Sequence, residues 1–301
     1  MALKVTVIIP ALNEEKTISK VVKDFMRALP EADIIVYDNN SVDRTKEEAE
    51  RAGAKVVIQY MRGKGNSVRK AFEDVDSDVY VMADADDTYP AEDVKKLMQP
   101  VLSGEADMTV GSRLDKRASG SLKFLHIIGN RIITGIVNFC FGKNLEDILS
   151  GYRVMTRALV KNIMLTSSGF EVETELTIRA LASGYAIEEI PVEYRSRHEG
   201  SESKLKSFSD GYLIFYTILT LFRDYRPMLF FSVIALFFLM AGFLLGMIPL
   251  VEWIETGAIR RFPTAILSSL LIIVGLQVLM LGLISDLINK KWAQVMERLR
   301  R

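Results

Sequence analysis

The first hundred residues alternate short, near-continuous apolar runs with stretches whose apolar residues recur at helical spacing. "VTVIIP" (5–10), "ADIIVYD" (32–38), "KVVIQY" (55–60) and "DVYVMAD" (78–84) read as strands. Between and after them, "NEEKTISKVVKDFMRALP", "SVDRTKEEAERAG", "GNSVRKAFEDV" and "AEDVKKLMQPVL" read as helices. Strands this continuous in Val and Ile are those buried on both faces. Their regular alternation with helices, about one unit every 25–30 residues, predicts an α/β fold with a largely parallel sheet covered on both sides. Asn13 is placed to cap the first helix, and Gly53 to end the second.

The carboxyl end follows a different pattern. Met228–Val251 and Phe262–Ser285 are each 24 residues without a charge. At helical rise each reaches about 36 Å, enough for a hydrocarbon core of roughly 30 Å. The connection "EWIETGAIRRFP" is short, so the two spans are expected to form a hairpin. Arg223, Arg226, Lys290, Lys291, Arg298, Arg300 and Arg301 flank it on one side, against Arg260 and Arg261 in the loop. The positive-inside bias then puts the N-terminal domain and the tail on the cytoplasmic face of the cell (plasma) membrane, in a multi-pass protein. The expected division is a cytosolic α/β domain over 1–206, a juxtamembrane interfacial helix over 207–227, the hairpin over 228–289 (spans about 228–251 and 262–286), and a basic tail over 290–301.

Charge adds little in bulk. Lys/Arg and Asp/Glu number 38 each, which gives no nucleic-acid signature. Cys140 is the single cysteine, so a disulfide within the chain is excluded.

Local charge says more. In a parallel sheet the strand ends share one edge, where ligands bind. Pro10, Asn13 and Glu14 follow the first strand; Asp38, Asn40 and Asp43 the second; Lys64 the third; and Asp84, Asp86 and Asp87 the fourth. Crowded carboxylates repel unless a positive charge lies between them. Asp84 and Asp86, two apart at a strand's end, suit a hard divalent cation completed by phosphate oxygens. The competing reading, capping of the helix near Ala91, applies to Asp87 or Thr88. No GxGxxG or GxxxxGK[ST] stands at these turns, which argues against dinucleotide and P-loop enzymes.

"VIIPALNEE", "YDNNSVDRT", "RGKGNSVRKAF", "MADADDTYP" and "DILSGYRVM" resemble, in order, the signature blocks of family-2 glycosyltransferases of GT-A fold. The nearest resemblance is to the polyprenyl-phosphate sugar transferases, the dolichol-phosphate mannose synthase and polyisoprenyl-phosphate glucosyltransferase group. It spans about residues 4–206 and implies a GT-A domain that performs inverting transfer of mannose, glucose or a related hexose. The donor would be a GDP- or UDP-sugar, the acceptor a polyprenyl phosphate of the bilayer, and the cofactor Mg2+ or Mn2+. The resemblance assigns the metal to Asp84 and Asp86, and the donor pocket to Pro10, Asn13, Glu14, Asp38, Asn40, Lys64 and Arg153. Thr88 stands where the dolichol enzymes often have a metal-assisting Gln.

Asp147 is the candidate carboxylate near the anomeric carbon or acceptor, with Arg153 a phosphate or structural partner; a salt bridge between the two is the competing reading. Arg113 and Arg131, then Arg197, Ser203 and Lys204 in a stretch resembling R-x-x-G-x-S-K-L, are expected to meet the acceptor phosphate. Asp86, Asp147, Arg113 and Arg131 form the expected catalytic set. A basic face drawn to anionic headgroups competes with the acceptor role. Glu171 and Glu175 lie four apart and reach a sugar hydroxyl or stand on the surface. Phe124–Gly142 and Gly211–Phe222 read as interfacial helices, with a core helix the alternative for the first. The hairpin is an anchor and a candidate homo-oligomer surface. The rival functions are transfer to an alcohol acceptor with Asp147 as base, and a non-catalytic nucleotide-sugar-binding scaffold.

Overall fold

The computed structural model describes residues 3–113, 121–195, 215–216, 219–220 and 222–300, with backbone only at 121–129, 132 and 292–300. The chain divides into two compact units, 1–218 and 219–301.

The first unit is built on a seven-stranded sheet of order β3-β2-β1-β4-β6-β5-β7. The strands are β1 (Val5–Ala11), β2 (Asp33–Asp38), β3 (Lys55–Ile58), β4 (Val79–Met82), β5 (Met108–Arg113), β6 (Arg153–Thr156) and β7 (Ile187–Val192). Strands β1 to β4 pair in parallel, as do β5 and β7. β6 runs antiparallel to both its neighbours, β4 and β5. The expected mostly parallel α/β sheet is present.

The helices are α1 (Ile18–Ala28), α2 (Thr45–Arg51), α3 (Lys64–Asp74), α4 (Val94–Ser103), α5 (Ser121–Phe141), α6 (Arg157–Asn162) and α7 (Val172–Ala182). They cover both faces of the sheet, and the period-two geometry of a strand shows in where β1 sends its side chains. Val7, Ile9 and Ala11 enter one core with Phe25, Val81 and Tyr152, while Ile8 enters the other with Tyr37, Val68 and Met82. Each such fully buried aliphatic side chain stabilises the fold by about 1.5–3 kcal/mol. α1 presents Ile18, Val21, Val22, Phe25 and Ala28 to the first core, the stripe that helical spacing requires.

Two expected caps are corrected. α1 begins at Ile18 with Thr17 before it, so Asn13 does not cap it. Asn13 instead sits in the left-handed region at φ 51° and accepts the Val42 N–H at 2.9 Å. Asp87 and Thr88 do not cap the helix after Pro90 either: Asp87 pairs with Lys20 and Thr88 bonds Asp86.

Strands β5 to β7 carry a diluted apolar signal. "MTVGSR" holds Gly and Ser, "RVMT" opens on Arg, and "IEEIPV" is a half-exposed edge strand where Pro191 is tolerated.

The second unit contains α8 (Pro227–Thr256) and α9 (Phe262–Arg300). Both are long and apolar enough to cross a membrane, and only 11% and 17% of their most apolar windows are buried, unlike core helices of a soluble protein. Their packing seam is made of small residues seven apart, Ala235, Gly242 and Pro249 on α8 and Ser268, Gly275 and Gly282 on α9. A Cβ on Gly242 would lie 2.8 Å from Ile272, and one on Gly275 2.8 Å from Leu239. Small residues of this kind let apolar helices pack closely. The seam is spent within the hairpin, so it lends no support to the expected homo-oligomer. α9 continues beyond its candidate span, Phe262–Lys291, to Arg300.

Candidate active site

The loops that leave β1, β2, β3 and β4 meet at one edge and are tied to one another. Asn13 N–H donates to Ser41 Oγ at 2.9 Å, and Ser41 Oγ–H donates in turn to Asp38. Glu14 N–H donates to Thr45 Oγ1 at 2.7 Å. Asn39 Nδ2 donates to Met61 O at 2.8 Å while its Oδ1 accepts Gly63 N–H at 2.5 Å, locking the β2 and β3 loops together. Pro10 is buried opposite Tyr37 in the β1–β2 register, and Asn40 is exposed with φ 60°. Of the expected donor residues, Asn13, Glu14, Asp38 and Asn40 therefore share this mouth.

The acid loop after β4 is held from several sides. Thr17 Oγ1 donates to Ala85 O at 2.7 Å, Tyr152 Oη to Pro90 O at 3.2 Å, and Arg195 N–H to Thr88 O at 2.8 Å. Asp86 is buried and its Oδ1 accepts the Thr88 hydroxyl at 2.6 Å. Asp84 bonds the Lys64 ammonium, which also meets Glu173 at 2.5 Å. Burial alone would lower the Lys64 pKa, but the two carboxylates outweigh it and hold the ammonium charged.

These residues fit a hard divalent cation. Both acids offer oxygen at one strand's end, and Asp84 already attracts a cationic group. Gly151 leaves its carboxylate room that a Cβ would fill, at 2.6 Å from Oδ2. Among the described residues no group of three or more Asp, Glu, His or Cys is arranged for a metal, so water and donor phosphates would complete the shell. Thr88 is engaged with Asp86 and adds no carboxylate or amide.

The second half of the site comes from an unexpected direction. Because β6 runs antiparallel, its start lies at the edge where the parallel strands end, and the loop 147–152 is thereby delivered to the mouth. Asp147, 1% exposed, accepts Arg113 Nε at 2.6 Å, Arg113 Nη2 at 2.7 Å and Asn130 Nδ2 at 3.0 Å. Burial pushes the Asp147 carboxyl up, but its bonds to Arg113 prevail and hold it below the usual carboxylate value. Glu189 on β7 accepts the Asp147 N–H at 2.8 Å and the Glu146 N–H at 2.5 Å, fixing the loop; burial raises its own carboxyl. The Arg113 guanidinium lies 5.5 Å over the Tyr194 ring.

Several expectations change here. Asp147 is paired with Arg113 and not with Arg153. Arg153 is 0% exposed and donates to Ser150 O, Ile148 O and Thr177 Oγ1 at 2.7–2.9 Å, so it braces the loop and cannot meet a donor phosphate. Arg131 is exposed on α5, and its neighbour Asn130 is the one that reaches Asp147. Glu171 and Glu175 are buried, not surface acids or sugar ligands. Glu171 takes the N–H of Ser168 and Gly169, and Glu175 takes Thr166, Ser167 and Arg179. Ile133, Thr134, Val137 and Cys140 of α5 are buried, which favours the core alternative for that half of the helix. Arg197, Ser203 and Lys204, like most of 207–227, lie outside the described residues.

Sequence reasoning missed Asn130, Glu173 and Glu189. Asn130 adjoins Arg131, and Glu173 stands between Glu171 and Glu175; nothing local marks Glu189.

A mixed sheet whose strand-end mouth gathers Asp84, Asp86 and Lys64, in a chain that also carries two membrane-length helices, sets the class of fold, and comparison with known proteins gives the family. The chain belongs to glycosyl transferase family 2, whose pattern it matches over residues 6–164. It is 35% identical over 296 residues to "Glycosyltransferase AglJ" of Haloferax volcanii, covering 98% of this chain and 97% of that protein. A "Dolichyl-phosphate hexose transferase" of the same organism is 34% identical, covering 68% of this chain and 88% of that protein. Glucosyl-3-phosphoglycerate synthase from Mycobacterium tuberculosis, in complex with Mn2+ and uridine-diphosphate-glucose, shares the fold at TM-score 0.62 and 23% identity. The match covers 73% of this chain and 79% of that one.

Proposed function

We propose that the chain transfers a hexose from a nucleotide sugar to a polyprenyl phosphate held in the bilayer, on the cytoplasmic face of the membrane. The observation that carries this reading is the Asp147–Arg113 pair. An alcohol acceptor needs a general base, and a carboxylate held below its usual pKa by an arginine is a weak one. A lipid phosphate needs none, because it arrives as an anion. Its oxygen attacks the anomeric carbon, the bond from that carbon to the diphosphate breaks, and the nucleoside diphosphate leaves from the opposite face with inversion.

On this reading Asp84 and Asp86 would hold Mg2+ or Mn2+, which would supply a Lewis acid to offset charge developing on the leaving diphosphate. Asn13, Glu14, Asp38, Asn40 and Pro10 line the donor pocket, and Lys64 faces its phosphates. Arg113, kept in place by Asp147, faces the acceptor phosphate together with Arg131 and with Arg197, Ser203 and Lys204, which follow β7 in the chain. The hairpin of α8 and α9 anchors the chain in the acceptor's own solvent. The relative named dolichyl-phosphate hexose transferase supports the acceptor class.

The test incubates membranes containing the protein with radiolabelled UDP-glucose, UDP-GlcNAc or GDP-mannose, Mg2+ and polyprenyl phosphate. An acid-labile labelled lipid is expected from one donor. Label that appears only in alkali- and acid-stable glycosides would favour the alcohol acceptor instead.

A further inference from the structure

Lys64 lies at the first position of α3, between Gly63 and Gly65, and its backbone has almost no freedom. A Cβ on Gly63 would stand 2.0 Å from Ser168 O, and one on Gly65 2.3 Å from Ser167 O. Gly63 also has φ 123°, which disfavours any other residue. The Ser167–Ser168 backbone that closes over these glycines is itself tied down by Glu171 and Glu175. Only the flexible four-carbon stem of Lys64 is left to move.

Its ammonium has two partners of unlike surroundings. The Asp84 side chain is 25% exposed and faces the mouth, whereas Glu173 is 5% exposed and set in the first turn of α7. Lys64 holds Oδ1 of Asp84, and a divalent cation that takes this same oxygen must displace the ammonium, because the two cannot share it without strong repulsion. A buried ammonium stripped of its partner would be costly. Glu173 removes that cost because it stays paired throughout.

We infer that Glu173 is a positioning residue that lets Lys64 exchange, so that the ammonium rests on Asp84 before the cation arrives and yields it when the cation binds. This rests on the cation site proposed above. Released from Asp84 but still anchored on Glu173, Lys64 presents its charge beside the cation to the donor's diphosphate. Cation and donor binding are thereby coupled through one side chain. Lysine suits this exchange, since its three donors rotate, whereas the planar fork of arginine would hold both carboxylates fixed.

The experiment titrates Mn2+ alone into the purified full-length protein, with no donor, and follows the free-ion electron paramagnetic resonance signal. Lys64→Gln removes the competitor and is expected to tighten Mn2+ binding about tenfold. Glu173→Gln leaves Lys64 with Asp84 as its remaining partner and is expected to weaken binding by about the same factor. Lys64→Arg, which keeps the charge, is expected to weaken it as well. A Glu173 that serves only to stabilise the fold would leave the Mn2+ affinity unchanged, and that result overturns the exchange. So does a folded Lys64→Gln protein that binds no tighter than wild type. Should Lys64→Gln fail to fold, unchanged affinity in either of the other two variants overturns the exchange equally. A wild-type protein that binds no Mn2+ at all overturns the cation site itself, which is a separate failure.

Discussion

Arg113 and Asp147 meet through two parallel side-chain hydrogen bonds, Nε to Oδ2 at 2.6 Å and Nη2 to Oδ1 at 2.7 Å. One ends β5 and the other precedes β6, so the pair joins two strands of opposite direction at the mouth of the sheet. The geometry makes Asp147 an orienting group for a cation more than an acceptor of protons.

Asp147→Asn should therefore reduce kcat/KM by about tenfold. Loss of a general base would cost roughly 10²–10⁴-fold. Combining it with Arg113→Lys should add little, since residues acting as one unit are not additive. Initial rates of lipid-linked sugar formation for the two single variants and the double variant check this.

The pair also sets an acid limit on stability. Its folded-state pKa is depressed, so its contribution is present above the unfolded carboxylate value of about 3.9 and lost as pH falls through the lower folded value. Glu175, depressed despite burial by its bonds to Thr166, Ser167 and Arg179, behaves alike. Melting temperatures of wild type and Asp147→Asn should differ by a constant amount from about pH 7 to 5 and converge below about pH 4.

Gly151→Ala places a Cβ 2.6–2.8 Å from the Asp84 carboxyl atoms. The carboxylate must move, and the half-maximal Mg2+ concentration for activity should rise several-fold. The cost to stability is expected at about 1–3 kcal/mol, the usual range for overpacking. A variant with unchanged Mg2+ dependence and full activity would show that Asp84 does not have to stay where it is.

Within the hairpin, Gly242→Leu meets Ile272 and the Ser268 carbonyl and should lower the melting temperature in detergent. Leu244→Phe, on an exposed face of the same helix, should leave it unchanged. Equal melting temperatures for the two would mean that the small-residue seam does not hold the helices together.

Much of this was legible in the linear order of residues. Four parallel strands, the helices after them, the Asp84/Asp86 turn and the two uncharged spans follow from local patterning, because period and hydropathy are properties of neighbours. The blocks beginning at Val7, Tyr37, Arg62, Met82 and Asp147 could be aligned to a family for the same reason. Partnership could not be read in this way. Arg153 carries a charge that suits a phosphate, yet the fold encloses it completely; Glu171 and Glu175 have the spacing of surface acids, yet they bind backbone N–H groups inside.

What only the tertiary structure decided is which charges meet. β6 enters the sheet in reverse between β4 and β5, and that inversion brings Asp147 to Arg113 and Gly151 to Asp84. α7 packs against α3 and brings Glu173 to Lys64. Residues so far apart along the chain carry no local mark of such a meeting. Their pairing depends on strand order and crossover direction, which are set by how both faces of the sheet are buried at once.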